Sequence, residues 1–140
     1  MAPLRPDTDG PSALIPIPLA QKRLRERGYN QSEVLARALA RKWRIPVLPD
    51  LLVRTRETPT QTALTPGTRL ANVAGAFGVR NAKFGMRNFA FRISTFTFVL
   101  VDDVFTTGAT LAEAARALEQ AGATRIMGVT FARAAIPDFT

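Results

Sequence analysis

The stretch that most restricts what this chain can fold into is residues 96–132, "FTFVLVDDVFTTGATLAEAARALEQAGATRIMGVTFA". "FTFVLV" (96–101) is apolar at nearly every position, the pattern of a strand buried on both faces. A polar turn over 102–108 leads into a helix that carries Leu111, Ala114, Ala115 and Leu118 on one side, with Gly122 as its C-terminal cap. "RIMGVTFA" (125–132) is the next strand. Strand, helix and strand in this order make a β-α-β unit, whose strands are expected to be parallel with a right-handed crossover. The fold class is therefore α/β.

Upstream the signals are weaker. "ALIPIPL" (13–19) is a short apolar run whose prolines suit a strand only near its end or at an edge. Basic "AQKRLRERGY" (20–29) reads as a loop. A helix is predicted from about Ser32, capped by Asn30, with Glu33 at capping-box spacing and an apolar face of Val34, Leu35, Ala38 and Leu39. Short strands are expected at "IPVL" (45–48), "LLVR" (51–54) and "GAFGV" (75–79). Residues 55–72, "TRETPTQTALTPGTRLAN", show no period and read as a long loop, a feature that is usually functional in a compact domain. Five of the nine phenylalanines fall between 84 and 98, where core or sheet packing is the simplest reading. The first twelve residues, rich in proline and without an apolar segment, read as a loose tail, leaving 13–140 as one domain.

Composition removes whole classes of chemistry. With no cysteine and no histidine there is no disulfide framework, no thiolate or imidazole zinc site, no cysteine nucleophile and no Ser-His-Asp triad. No apolar run is long enough to cross a bilayer, so no membrane span is expected; with no secretory signal either, a cytoplasmic location is. The formal charge is +8, and eight of the 19 basic residues lie between Lys22 and Arg44. Such a cluster concentrates anionic ligands, whether phosphorylated metabolites or nucleic acid.

The "VDDVFTTGAT" turn has a chemistry of its own. Adjacent like charges repel, so folding alone does not ask for Asp102 and Asp103. They lie at the carboxyl end of a strand, where open parallel sheets bind ligands. Thr106, Thr107, Gly108, Ala109 and Thr110 open the following helix, where backbone N–H groups, a close-approach glycine and hydroxyls can cradle a phosphate. Ionised carboxylates beside it suit neutral hydroxyls or a hydrated metal ion. A phosphate next to a diol describes a ribose 5-phosphate. The turn is neither a Walker A loop nor a dinucleotide glycine fingerprint.

"VLVDDVFTTGAT" closely resembles the phosphoribosyl-pyrophosphate (PRPP) motif of type I phosphoribosyltransferases. "IPIPL…KRLRERGYNQSEVLARALA" and "LVRTRETPTQTALTPGTRLANVAGAF" resemble the ComF/GntX family of competence-associated, amidophosphoribosyltransferase-like proteins. Together these stretches cover roughly 14–79 and 98–133. The resemblance implies a three-layer α/β/α fold with a mainly parallel sheet. It implies that Asp102 and Asp103 contact the ribose hydroxyls, with Mg2+ as cofactor held largely through PRPP, and that residues 106–110 bind the 5-phosphate. Arg27 and Gly28 become the pyrophosphate-binding residues, with Lys22 and Arg23 as lesser candidates. The 55–72 segment becomes a flexible hood from which Arg54, Arg56, Gln61 and Arg69 are expected to act.

Two departures qualify the resemblance. Family members usually carry an N-terminal cysteine-rich, zinc-binding segment, and these 140 residues contain no cysteine. Some purine-salvage relatives place an aspartate where Thr106 stands, as a base towards the purine; threonine cannot do that. Three functions stay open: a PRPP-dependent glycosyltransferase, a non-catalytic PRPP-binding or partner-binding protein of the competence and DNA-uptake machinery, and direct single-stranded DNA binding by the basic cluster. The last is the weakest, because that cluster offers only Tyr29 and Trp43 as stacking platforms. The acceptor and the oligomeric state are not legible, and an oligomer stays open.

Overall fold

The computed structural model describes residues 10–55, 75–80, 93–105 and 108–133. Its centre is a parallel sheet of β1 (Ser12–Pro16), β4 (Thr97–Phe105) and β5 (Arg125–Arg133) in the order β1-β4-β5. Around it lie α1 (Gln21–Arg27), α2 (Gln31–Trp43), the antiparallel pair β2 (Leu52–Arg54) and β3 (Phe77–Val79), and α3 (Ala109–Gln120). The expected β4-α3-β5 unit is present, with its strands parallel.

Strand alternation divides the core between the two faces of the sheet. Ala13, Ile15 and Ile17 of the first strand segment, with Phe98 and Leu100 of β4, pack against Ala114, Ala117 and Leu118 of α3 and against Leu52 and Phe77 of the β2–β3 pair. Leu14, Val99 and Val101 point the other way, onto Ala36, Leu39 and Trp43 of α2. Helix, sheet and helix form the three layers of the expected α/β/α class. Residues 97–101 are buried throughout, as a strand covered on both sides requires.

The glycine at the end of α3 is legible in its bonds. The Gly122 N–H donates to Glu119 O at 3.0 Å and the Ala123 N–H to Leu118 O at 3.0 Å, the paired bonds of a Schellman motif. Gly122 takes φ 114°, a conformation that side chains resist. Phe98 lies in the core with Phe96 stacked on it at 5.7 Å, in keeping with a packing role; Phe84, Phe89 and Phe91 lie outside the described residues.

Several expectations are corrected. The segment read as a basic loop contains α1, because Gln, Lys, Leu, Arg and Glu are all good helix formers and Gly28, at φ 82°, closes the helix. It escaped a periodicity reading because it buries no residue. The inward face of α2 is Ser32, Ala36, Leu39 and Trp43, whereas Val34 is 51% exposed and Ala38 is exposed. Both sets have helical spacing; the sheet selects the one containing the tryptophan. Asn30 caps α2 as expected, but the Glu33 carboxylate accepts from Arg37 Nε at 3.1 Å. "IPVL" supplies one parallel bridge, Leu14 with Val47. Finally, β4 does not end at the acid pair but runs on to Phe105, with β5 still alongside.

Candidate functional site

The site lies where β1 stops and β4 continues. Pairing of β1 with β4 ends at Pro16 and Val101, so Asp102 and Asp103 are the first residues of β4 past β1's carboxyl end. The chain leaving β1 stays beside them, because the Ile17 N–H donates to Val101 O at 2.9 Å. That end of a parallel sheet is the expected ligand side.

Asp102 is mostly buried. Its Oδ1 accepts from the Asp103 N–H at 2.9 Å and, more weakly, from the Ser32 hydroxyl at 3.4 Å. Burial raises its pKa from 3.8 to about 7, and the neighbouring Asp103 adds to the rise; the Asp103 N–H and Ser32 act the other way. At neutral pH this carboxyl can therefore either donate or accept a hydrogen bond. The pair is the kind of charge conflict expected where function, not stability, selects the residues.

Around the acids stand the openings of two helices. Gly108, at φ 83°, precedes α3 without a side-chain cap, and Ala109 and Thr110 are buried in the first turn. At the other opening Asn30 does two things at once: its Oδ1 accepts from the Ser32 N–H at 3.0 Å, and its Nδ2 donates to Ile17 O at 3.0 Å. Arg27 ends α1 and Gly28 caps it, both two to three residues before Asn30 and both exposed. Arg54 lies on β2 itself. Its Nε donates to Pro18 O at 2.9 Å and its guanidinium sits 4.9 Å above the Phe77 ring.

The structure thus brings together Asp102, Asp103 and the strand exit that leads to Arg27 and Gly28, with Gly108, Ala109 and Thr110 following on the same β4-to-α3 connection. Thr106, Thr107, Arg56, Gln61 and Arg69 lie outside the described residues. Sequence reasoning passed over Ser32 as a neighbour of Asp102 and over Asn30 as more than a cap. Nothing in the sequence marked Ser32: its need for a partner follows from its burial, at 4% exposure, which only the fold reveals. It also passed over Glu113, whose Oε1 accepts from the Gly75 N–H at 2.9 Å and so ties α3 to the chain two residues before β3. Among the described residues no group of three or more acidic side chains could cage a metal, and no helix is long and apolar enough to cross a membrane.

The site is thus an acid pair at the carboxyl edge of a parallel α/β sheet, with a glycine-led helix on the connection that follows. Residues 30–137 match the phosphoribosyl transferase domain family. The chain belongs to that family, in its type I, ComF group. It is 38% identical over 124 residues to Competence protein F of Haemophilus influenzae, covering 89% of this chain and 51% of that protein. It is 34% identical over 116 residues to DNA utilization protein YhgH of Escherichia coli K12, covering 83% and 47% respectively. Competence protein ComFC of Bacillus subtilis is 34% identical over 109 residues, 78% of this chain and 39% of that one. The chain spans about half the length of the first two relatives.

Proposed function

We propose that this chain binds PRPP with magnesium and transfers its ribose 5-phosphate to a nitrogen nucleophile, releasing pyrophosphate. The observation that carries the reading is the acid pair one residue past the end of β1 pairing, on the strand that leads into the glycine-capped start of α3. Asp102 and Asp103 would take the ribose hydroxyls, and a carboxyl titrating near 7 suits a diol because it can donate to one oxygen and accept from another. Thr106 to Thr110 would hold the 5-phosphate against the α3 N-terminus. Arg27 and the Gly28 backbone would take the pyrophosphate.

Two adjacent carboxylates fit magnesium, which prefers oxygen ligands and commonly keeps water and substrate phosphates in its shell. Held beside Asp102 and Asp103, it would supply positive charge to the leaving pyrophosphate. In the transfer the C1–O bond to pyrophosphate breaks with its electron pair, the acceptor nitrogen forms the new bond to C1, and that nitrogen loses a proton. Arg27 can offset the charge that builds on the leaving group. No acid stands at Thr106 to receive the acceptor's proton, so that proton goes elsewhere.

The same threonine favours a second reading, a PRPP-binding protein without turnover that serves DNA uptake, the setting named by its competence-protein relatives. Calorimetric titration of Mg-PRPP into wild type and into the Asp102→Asn/Asp103→Asn double variant tests the shared premise. Binding to wild type and its loss by at least a hundredfold in the variant is expected; no binding to wild type defeats both readings. Pyrophosphate release with candidate bases and amines then separates them, since the second reading predicts none.

A further inference from the structure

Between Gln21 and Tyr29 the chain leaves the sheet on an excursion in which no residue is buried. A helix of seven residues is too short to sustain itself in water. Its two ends are joined at a neck. Asn30 Nδ2 reaches back 13 residues to Ile17 O, so one side chain joins the start of the excursion to its end. Ile17 is in turn bonded to Val101, next to the acid pair, and the adjacent Pro18 carbonyl accepts from Arg54. The two functions of Asn30 are carried by different atoms: Oδ1 caps α2, and Nδ2 closes the neck.

We propose that Asn30 is a positioning residue for the diphosphate end of the ligand: by closing the 17–30 neck, its amide holds Arg27 and Gly28 where a magnesium-bound diphosphate can be gripped. The inference rests on the PRPP reading above and deepens it. Capping alone would make Asn30 one of several equivalent residues, since serine, threonine and aspartate cap helices as well. Only an amide, with an acceptor and a donor on a forked end, serves both partners at once. The residue types of "GYN" follow: a left-handed glycine to end α1, then an amide to bring the chain back to β1.

The test separates the two functions. Asn30→Ser keeps a cap acceptor and is too short to span to Ile17; being neutral, it adds no repulsion towards phosphate. Asn30→Ala removes both. Mg-PRPP and ribose 5-phosphate are titrated into wild type and both variants, ribose 5-phosphate by displacement of PRPP where its own heat is small, alongside thermal unfolding. Asn30→Ser is expected to unfold only a few degrees below wild type, to bind ribose 5-phosphate as wild type does, and to bind Mg-PRPP roughly tenfold more weakly, the scale of one lost hydrogen bond. Asn30→Ala should show the same ligand split with a lower unfolding temperature. Unchanged PRPP affinity in Asn30→Ser overturns the inference, and so does an equal loss for both ligands, which marks a merely structural residue; either result leaves the PRPP site standing. Failure of wild type to bind PRPP overturns the site and this inference together.

Discussion

Two segments leave the carboxyl edge of the sheet close together, and they are fixed by different forces. β4 leads towards α3, a helix that buries Ala109, Thr110, Ala114, Ala117 and Leu118. β1 leads into α1, which buries nothing and is tied down at Ile17, Pro18 and Asn30 by hydrogen bonds. Apolar burial is non-directional and survives small shifts, whereas a neck of three bonds has one geometry. Under the PRPP reading proposed above, the first support would suit a sugar phosphate held in one place. The second would suit a diphosphate that is gripped and then released.

The sharpest way to break this contrast is to truncate one apolar side chain in each segment. Leu118 has no exposed surface and joins α3 to the sheet. Leu118→Ala should cost about 2–5 kcal/mol through lost burial and the cavity left behind. Leu24, the one leucine of α1, is 39% exposed, and Leu24→Ala should stay within about 0.5 kcal/mol. Urea unfolding of the three proteins measures both. A Leu24 variant as unstable as the Leu118 one would show that α1 is held by burial after all.

Asp102 ranks second in expected size. The folded carboxyl titrates near 7 and the unfolded one near 3.8, so between these values the folded chain holds a proton that the unfolded chain has lost. The contribution of Asp102 to ligand-free stability should therefore be fully present below about pH 4, fall as pH rises towards 7, and be lost above it. The total change is on the order of 2 kcal/mol, discounted because the carboxyl is only partly buried. Asp102→Asn should remove this fall while keeping an oxygen for the Asp103 N–H. Thermal unfolding of both proteins from pH 4 to 8 in a metal chelator decides it. A wild-type stability that rises across this window would mean that Asp102 is ionised in the fold and is held that way by its hydrogen bonds.

The same contrast explains what could be read in advance. β4, α3 and β5 announce themselves through apolar periodicity, and Gly122 marks its helix end locally, so the β-α-β unit and the edge that carries the site were legible. α1 has no apolar face, and no periodic pattern can find a helix that buries none of its residues. The bonds of Asn30 to Ile17, Arg54 to Pro18 and Ser32 to Asp102 join residues 13, 36 and 70 apart, distances over which a single sequence carries no pairing signal. Asp102 and Asp103 could be found because their repulsion is itself the anomaly. Ser32 was passed over because a serine near a helix start is ordinary until its burial is known.

Arg54 tests the neck from its other side, with the smallest expected effect. It was expected to act from a loop, yet it lies on β2 and spends its Nε on the Pro18 carbonyl while its plane covers Phe77. Lysine can keep the charge there but has neither the Nε fork nor a planar face to stack. Arg54→Lys should therefore cost about 1 kcal/mol, one net hydrogen bond together with part of a cation–π contact, seen as a drop of several degrees in unfolding temperature. If the Pro18 contact shares the work of Asn30, the variant should also bind Mg-PRPP a few times more weakly with ribose 5-phosphate unaffected. If it loses stability and keeps full PRPP affinity, Arg54 joins the β2–β3 pair to the sheet without setting the excursion, and Asn30 holds the neck with the buried Ile17 and Ala20 beside it.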